Sequence, residues 1–255
     1  MNKFTRRTVI AAACAAAAMT FGPMSFAQQA PEKKDVTIAV GGKSLYYYLP
    51  LSIAEQLGYF KDEGLNVKIV DFQGGSRSLQ AVVGGSADVV SGAFEHTISM
   101  QAKKQPMTAF VLQGRAPQLA LVVSNKTMKD YKQLSDLKGK KVGVTAPGSS
   151  SQMVANFILK KGGLGPKDVA FIGSSSGAVS AIRSGQIDAL INLDPVITIL
   201  LKNGDAKLVA DTRKVKESES FFGGTMPAGC LYAPVSFIEK NPQTVQALTN
   251  AIVRA

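Results

Sequence analysis

The sequence has one histidine, two cysteines and no tryptophan among 255 residues, and these shortages exclude several classes of protein. A structural zinc site takes four Cys or His ligands, and a disulfide-stabilised domain needs several cysteine pairs. The sequence therefore excludes a zinc finger, a His-rich metal site and a disulfide framework. We expect neither a metal site nor a cofactor.

The first 27 residues have the pattern of an export signal. Lys3, Arg6 and Arg7 form a positive start, residues 9–21 form an Ala-rich apolar stretch, and residues 25–27 supply a small-x-small cleavage pattern. The apolar stretch is too short and too Ala-rich for a good membrane span. The paired arginines also resemble a twin-arginine signal, so the sequence leaves open which export route is used. We expect a periplasmic protein.

The positive charge of the chain is large but dispersed. The whole sequence has 29 Lys+Arg against 18 Asp+Glu, and removal of the three basic residues of the signal leaves 26 against 18, a net charge of +8. The lysines are spread over the chain without interleaved aromatic residues, which predicts no nucleic-acid partner. Dispersed positive charge favours attraction of a small anion. After removal of the signal Cys230 is the only cysteine, and we expect it to be buried.

Strand and helix patterns alternate after a polar segment, residues 28–35, which we interpret as a flexible leader. The order seen from residue 36 to about residue 90 reappears about one hundred residues later. The closest match pairs Ser76–Asp88 with Ser176–Asp188, in which Ser, Ala, Gly and Asp recur at equivalent positions. This predicts a duplicated β-α-β-α-β unit with mostly parallel sheets, although any two α/β units share some likeness.

Two such units predict two lobes with a cleft between them. We assign residues 36–115 and 226–255 to lobe 1 and residues 116–225 to lobe 2, with crossover segments between the lobes. Asn241-Pro242 is expected to cap a last helix in which Val245, Leu248 and Ile252 share one face. That helix pattern runs to the last residue without a C-cap, so we expect the C-terminal helical part to be incomplete.

Two motifs suggest catalysis, and neither is complete. Gly173–Gly177 fits the G-x-S-x-G pattern of a nucleophilic serine, but His96, the only histidine, lies before it, whereas that fold places its histidine after the serine. Gly42-Lys43-Ser44 resembles the end of a phosphate-binding loop whose first glycine would fall on Thr37. We therefore predict no catalytic residues and no enzyme activity.

Glycine- and serine-rich turns follow several predicted strands and precede helices. They lie at Gly74–Arg77, Gly148–Ser151 and Gly173–Gly177. Ligands collect at the carboxyl ends of parallel strands, where helix N-termini favour anionic groups. A serine there can also simply cap its helix, so only the combination of several such turns favours a binding cleft.

The runs LYYYLPLSIAEQLGYFKDEGL, FQGGSRSLQAVVGGSADVVSG, KGKKVGVTAPGSSS and SGQIDALINLDP resemble the solute-binding proteins of nitrate/sulfonate/taurine-type ABC importers, whose relatives bind thiamine-pyrimidine precursors. The resemblance implies an α/β, type II periplasmic-binding-protein fold with two α/β lobes, mostly parallel sheets and two crossover segments. It implies a monomer that closes on a small, anionic ligand and docks on an ABC permease in the inner membrane.

The resemblance also implies where the ligand binds. Lys43, Arg77 and Arg115 are candidates for charge pairing, the Ser149–Ser151 turn for hydrogen bonds to an anionic head group, and Tyr46 and Phe94 for packing. The full set of expected substrate-binding residues is Lys43, Ser44, Tyr46, Tyr47, Gly75, Ser76, Arg77, Phe94, Glu95, His96, Arg115, Ser149, Ser150, Ser151, Asn192 and Asp194.

Two alternative functions share this fold. One is a ligand-sensing domain that acts on a signalling partner. The other is an enzyme of pyrimidine-precursor or menaquinone metabolism. The expected export signal argues against the enzymes, because those act in the cytosol.

Overall fold

Two five-stranded sheets with helices on their faces make up residues 29–255, which are the residues that this computed structural model describes. The expected export signal lies outside these residues. The strands are β1 (Asp35–Val40), β2 (Asn66–Asp71), β3 (Val89–Ala93), β4 (Met107–Leu112), β5 (Ala120–Ser124), β6 (Lys141–Val144), β7 (Ala170–Gly173), β8 (Ala189–Asn192), β9 (Ala206–Asp211) and β10 (Gly229–Pro234).

The helices follow the strands in the order that the sequence pattern predicts. They are α1 (Leu49–Gln56), α2 (Tyr59–Asp62), α3 (Gly75–Val83), α4 (Glu95–Ala102), α5 (Ser150–Lys161), α6 (Ala178–Ser184), α7 (Val196–Lys202), α8 (Val215–Phe222), α9 (Val235–Lys240) and α10 (Pro242–Arg254), with 3₁₀ turns at Tyr46–Tyr48 and Leu134–Leu137. Within residues 29–255 no helix combines the length and the apolar character that a membrane crossing requires.

Each sheet contains four parallel strands and one antiparallel strand. The first sheet has the order β2-β1-β3-β10-β4 and the second β7-β6-β8-β5-β9. Strand β10 is antiparallel to β3 and β4, and β5 is antiparallel to β8 and β9. The two antiparallel strands, β5 and β10, each directly follow a crossing of the chain from one sheet to the other. The predicted fold class, two α/β sheets joined by two crossings, is confirmed.

The two sheets repeat the same local contacts. The carboxylate of Asp88 accepts a hydrogen bond from the backbone N–H of Thr37, and Asp188 accepts one from Lys141, both at 2.9 Å. Each bond ties the start of the third strand of a unit to its first strand. Gly85 and Gly185 precede these carboxylates with φ angles of 75° and 84°, a conformation that favours glycine. These contacts explain why Gly and Asp recur one hundred residues apart.

Cys230 is fully buried in β10, as the sequence predicts. It packs with Val90 and Tyr232 under α3 and α4. Burial raises the pKa of its thiol to about 12, so the group stays protonated at neutral pH. Cys230 is therefore part of the core.

Helix α10 is capped by a residue other than the one expected. The side chain of Asn241 donates to the carbonyl of Phe237 at 2.8 Å and makes no bond to the first turn of α10. The carboxylate of Glu32 instead accepts from the backbone N–H groups of Gln243 and Thr244, at 3.1 and 3.0 Å. Asn241 was thus wrongly expected as the cap, because the segment before β1 returns to this helix and supplies a charged acceptor.

The apolar face of α10 lies where the sequence placed it. Leu248 and Ile252 are buried, with Ala247 and Ala251 beside them, and Val245 is half-buried at the edge. Helix α10 therefore packs on the first sheet through one face.

We expect Glu32→Gln to lower the free energy of unfolding by about 1 kcal/mol, because the carboxylate acts as an N-cap for α10. Slight burial raises the pKa of Glu32, but the hydrogen bonds from Gln243 and Thr244 lower it by more, so this pKa lies below its usual value. This stabilisation is present above the unfolded-state pKa and is lost as pH falls through the folded-state pKa. Urea denaturation at pH 7 and near pH 3 should show the difference shrinking in acid.

The exposed Glu239 of α9 provides the matched control. Glu239→Gln makes the same change of charge without removing a cap, so it should leave the unfolding free energy nearly unchanged. An equal loss in both variants would contradict the capping role of Glu32.

Candidate functional site

The carboxyl ends of strands from both sheets meet at one place, which we call the junction. The backbone N–H of Ser76 donates to Oγ of Ser149 at 3.0 Å, and the hydroxyl of Ser76 donates to the carbonyl of Pro147 at 2.8 Å. At a second contact the backbone N–H of Tyr46 donates to the carbonyl of Asp194 at 2.9 Å. The turns that follow β2, β6 and β8 thus contribute to the contact between the sheets, as the strand-end argument predicts.

Glycine makes the first of these contacts possible. A Cβ atom on Gly74 would lie 2.6 Å from Cβ of Ala146, and one on Gly75 would lie 3.3 Å from Cε1 of His96 and 3.7 Å from Oγ of Ser149. Any larger residue at Gly74 would push the two turns apart. The short distances also place His96 beside Gly75 and Ser149 at the junction.

The three expected serines have different surroundings. Ser149 stands at the N-cap position of α5, yet its hydroxyl makes no cap and instead contacts Ser76. The hydroxyl of Ser151 is buried, accepts from the backbone N–H of Thr145 at 3.0 Å and lies 2.9 Å from Oγ1 of Thr145. Ser150 is half-buried. Ser149 therefore joins the sheets, whereas Ser151 shapes its own turn.

The expected basic residues lie around the junction and not inside it. Lys43 forms an ion pair with Glu55, and its backbone N–H donates to Asp71. Arg77 and Arg115 are exposed. None of these three cations lies among the buried groups of the junction.

The aromatic and small residues of the first loop also separate. Ser44 and Tyr46 are exposed, the latter at 61%. Tyr47 is buried and packs edge-on against Tyr48 with 5.0 Å between ring centroids. Phe94 is half-buried against the core that contains Cys230.

Arg77 lines an open pocket of about 240 Å³ at the rim of the junction. Gln73 accompanies it from the first sheet, and the opposite side is formed by Gly173–Gly177 and Gln186. The hydroxyl of Ser176 donates to the Gln73 side chain at 3.4 Å across this pocket. The glycine- and serine-rich turn after β7 thus faces a cation, while Gln73 and Gln186 were not anticipated from the sequence.

At strand ends of both sheets are buried side-chain atoms that make no hydrogen bond. Four of the six such atoms among the described residues are Oε1 of Glu95, Nε2 of His96, Nε2 of Gln113 and Nδ2 of Asn192. Glu95 and His96 follow β3, Gln113 follows β4, and Asn192 ends β8. An unsatisfied buried polar group costs roughly 1–3 kcal/mol, so a group of them at strand ends calls for an explanation.

In both amide side chains, Gln113 and Asn192, the oxygen accepts a hydrogen bond and the nitrogen has no partner. The Oε1 atom of Gln113 accepts from the hydroxyl of Ser91 at 2.7 Å, and Oδ1 of Asn192 accepts from the backbone N–H of Leu193 at 2.8 Å. Each –NH₂ group is therefore presented as a free donor. Gln113 was missed in the sequence because nothing about a lone Gln after a strand distinguishes it from a surface residue.

His96 is fixed in its neutral form. Its Nδ1 atom lies 2.8 Å from the hydroxyl of Tyr232, and burial lowers its pKa to about 4. Nε2 approaches the backbone of Gly148, which partly offsets that lowering, without forming a well-directed hydrogen bond. His96 therefore offers one ring nitrogen, as donor or acceptor, towards the second sheet.

Glu95 is a half-buried residue whose Oε1 atom is buried, and its carboxyl group has no cation beside it. Burial raises its pKa to about 7, an effect only partly offset by its own backbone N–H. Among the described residues no lysine or arginine forms an ion pair with it. A carboxyl group in this state is typical of functional sites, where a partner arrives with the ligand.

Asp194 is held by an arginine that the sequence analysis did not identify. Arg213 donates to Oδ2 of Asp194 at 2.9 Å and to Asp211 at 2.7 and 3.0 Å, while Thr198 donates to the other oxygen of Asp194. Burial raises the pKa of Asp194, but the hydrogen bonds from Thr198 and Arg213 lower it by more, so this pKa lies below its usual value. Asp194 thus fixes the turn that contacts Tyr46, because both of its carboxylate oxygens are engaged.

Comparison with known proteins gives a family match over most of the chain. The family model described as NMT1/THI5 like matches residues 46–255. YtlA of Bacillus subtilis strain 168, which carries the designation of a binding protein, is 26% identical over the whole chain, and the chain covers 74% of it. The 4-amino-5-hydroxymethyl-2-methylpyrimidine phosphate synthase of Schizosaccharomyces pombe is 25% identical over 85% of the chain, which spans only 63% of that enzyme.

Solved structures share the fold. A protein from Bordetella bronchiseptica RB50 is 63% identical, with a TM-score of 0.87 over 89% of this chain and 72% of that one. The alkanesulfonate-binding protein SsuA from Xanthomonas axonopodis pv. citri, bound to MOPS, has a TM-score of 0.69 at 22% identity over 88% of this chain and 73% of its own. The periplasmic nitrate-binding protein NrtA from Synechocystis PCC 6803 has a TM-score of 0.72 at 17% identity, covering 89% of this chain and 62% of its own.

We expect Arg213→Met to lower the free energy of unfolding by about 2 kcal/mol, because it leaves the carboxylate of Asp211, only 3% exposed, with no cation closer than Lys214 at 4.0 Å. Urea denaturation would measure the loss. Arg183→Met is the matched control, since its ion pair with Asp205 is more exposed and should contribute less than 1 kcal/mol. Equal losses in the two variants would contradict the role assigned to Arg213.

Proposed function

We propose that this protein is the substrate-binding component of an ABC importer. The chain belongs to the NMT1/THI5-like family and has the fold of nitrate- and sulfonate-binding periplasmic proteins. It captures a small solute at the junction of the two sheets and delivers it to a membrane permease. The expected export signal places this work outside the cytoplasm, and the expected form is a monomer.

One observation carries this proposal furthest. Buried donor and acceptor atoms at strand ends of both sheets are left without partners, in Glu95, His96 and Gln113 of one sheet and Asn192 of the other. Groups in an ordinary core are hydrogen-bonded to each other. Polar atoms from two sheets that are buried and free suit a cleft that closes around a polar solute.

The solute that we propose carries an anionic group. The net positive charge of the chain attracts anions from a distance, and Arg77 stands at the rim beside the turn Gly173–Gly177. The N-terminus of α5, which begins at Ser150, adds partly positive backbone N–H groups next to Ser149. Sulfonates, nitrate and carboxylates are the classes that this arrangement favours.

A second candidate function is an enzyme of pyrimidine-precursor metabolism, because some relatives are pyrimidine phosphate synthases. Importer binding and enzymatic turnover differ in one simple respect. A binding protein releases its solute chemically unchanged, whereas an enzyme consumes it. Mass spectrometry of any solute recovered after incubation with the protein separates the two.

We expect thermal denaturation with a panel of sulfonates, nitrate, carboxylates and pyrimidines to identify at least one stabilising solute. Binding to the folded state alone stabilises by RT ln(1 + [L]/Kd), about 4 kcal/mol at a thousandfold excess over Kd. Arg77→Gln should then raise the Kd of an anionic solute about fivefold, because the lost charge is exposed. Lys161→Gln, which removes an exposed charge from the far end of α5, is the control.

Two results would count against this function. If no member of the panel shifts the unfolding transition, the proposal of a small-solute importer component is wrong. If a neutral solute binds and neither variant changes its Kd, the proposal that the solute carries an anionic group is wrong, but the importer role is unaffected.

A further inference from the structure

The segments that lead into the strands of the second sheet form one surface, which we call the far edge. It consists of residues 125–141, 160–169, 183–188 and 202–207. The backbone N–H of Gly139 donates to the carbonyl of Asp168 at 2.7 Å, and that of Asn125 donates to the carbonyl of Asp205 at 3.0 Å, so these segments are joined. Because β6, β7 and β8 run in parallel from here towards the junction, the far edge lies at the opposite end of the sheet.

The far edge holds nearly all of the net positive charge of the described chain. It contains twelve Lys and Arg against five Asp and Glu, a net charge of +7, whereas residues 29–255 as a whole have a net charge of +8. The lysines are dispersed along the sequence between residues 126 and 207, and the fold gathers them.

The corresponding edge of the first sheet is balanced in charge. It has six basic and six acidic residues, in the segments 31–35, 57–65, 84–88, 103–106 and 235–241. The positive surface is therefore a property of the second sheet and not of the duplicated unit.

Most carboxylates of the far edge already have partners, whereas its lysines do not. Asp136, Asp168 and Asp188 each accept hydrogen bonds from backbone N–H groups. Asp205 forms an ion pair with Arg183 at 2.8 Å. None of the eleven lysines of the far edge forms an ion pair with another described residue. Ten of them are exposed and the eleventh is half-buried, so their charges are available to an outside anion.

An open pocket of about 500 Å³ lies within the far edge. Its lining includes Lys126, Lys129 and Lys140, together with Tyr131 and Asp136. Burial raises the pKa of Tyr131, so its hydroxyl stays protonated at neutral pH and can donate a hydrogen bond. Three ammonium groups and a hydroxyl donor suit the oxygens of a phosphate group.

The far edge has no apolar anchor for a protein partner. All of its residues are described by the structure, and none of its large apolar side chains is exposed. Protein interfaces are centred on buried aromatic and apolar anchors, and single-stranded nucleic acids stack on aromatic side chains. Ammonium groups on flexible stems instead fit a plane of many equal anions, such as the head groups of anionic phospholipids.

We propose that the far edge binds the head groups of anionic phospholipids and so holds the protein at a membrane surface. The expected periplasmic location brings such a surface within reach. In this orientation the junction, at the other end of the sheet, points away from the lipid. The property goes beyond the proposed function, because it requires no solute.

The test is co-sedimentation with lipid vesicles of the protein without residues 1–27, since the expected export signal could itself bind lipid. Vesicles of equal parts phosphatidylglycerol and phosphatidylcholine should bind the protein about tenfold more tightly than phosphatidylcholine alone at about 50 mM NaCl. Binding should weaken about tenfold at about 300 mM NaCl, because salt screens exposed charges.

A triple variant tests whether the far edge is the binding surface. Lys129→Gln, Lys138→Gln and Lys167→Gln together remove three exposed charges from it and should weaken binding to the anionic vesicles about tenfold.

A second triple variant is the matched control. Lys34→Gln, Lys61→Gln and Lys104→Gln together remove three exposed charges from the corresponding edge of the first sheet. They change the net charge equally and should weaken binding less than about twofold. Circular dichroism of both triple variants checks that a loss of binding is not a loss of folding.

Four results would overturn the proposal. Equal losses in the two triple variants would show that net charge alone attracts the protein. Failure to bind anionic vesicles, or equal binding to phosphatidylcholine, would exclude recognition of anionic lipid. Release from vesicles by inorganic phosphate at constant ionic strength would assign the lysines to a site for a single free phosphate. Tighter binding to polyglutamate or duplex DNA than to the vesicles would assign the far edge to another polyanion. None of these results bears on solute binding at the junction.

Discussion

The site depends on the close approach of two turns, one after β2 and the other after β6. Ser76 donates to Ser149 and Pro147 only because Gly74 has no side chain to hold Ala146 away. The glycine contact also brings the buried His96 beside Gly75 and Ser149, and the contact between Tyr46 and Asp194 joins the sheets at a second point.

Several half-buried or buried carboxylates in this protein have a cation or a backbone donor as a partner. Asp194 and Asp211 share Arg213, Lys43 is paired with Glu55, and Asp88 and Asp188 accept backbone N–H groups in their strands. Against this background Glu95 is unusual, because its buried Oε1 atom has neither a cation nor a backbone donor from another residue. Such a group contributes nothing to stability as it stands, so its presence is better explained by what it binds than by what it supports.

The fold could be predicted from the sequence because apolar runs mark the buried strands, glycines mark the turns, and the repeat marks the two equivalent units. The strand at 36–40 is apolar except for Thr37 because β1 is buried on both faces, and Gly85 and Gly185 mark equivalent turns. The helix cap at α10 was missed because Glu32 reaches it from more than two hundred residues away. Of the expected site residues, Glu95, His96 and Asn192 present free atoms at the junction, whereas Ser44, Tyr46 and Arg115 have exposed side chains. The sequence shows which residues follow a strand but not which way they face, and it offered no signal for Gln113.

The free polar atoms also bear on how binding and closure are connected. Four unsatisfied groups at roughly 1–3 kcal/mol each are a cost borne by the closed junction alone, because opening returns them to water. The contacts that oppose opening are few and mostly neutral hydrogen bonds between turns, each contributing about 1 kcal/mol. A solute that pairs with the free atoms removes the cost from the closed form and leaves the open form unchanged, so it shifts the population towards closure by the amount of its differential affinity. A solute that leaves some of these atoms unpaired removes less of that cost, and closure itself then becomes the step at which solutes are distinguished.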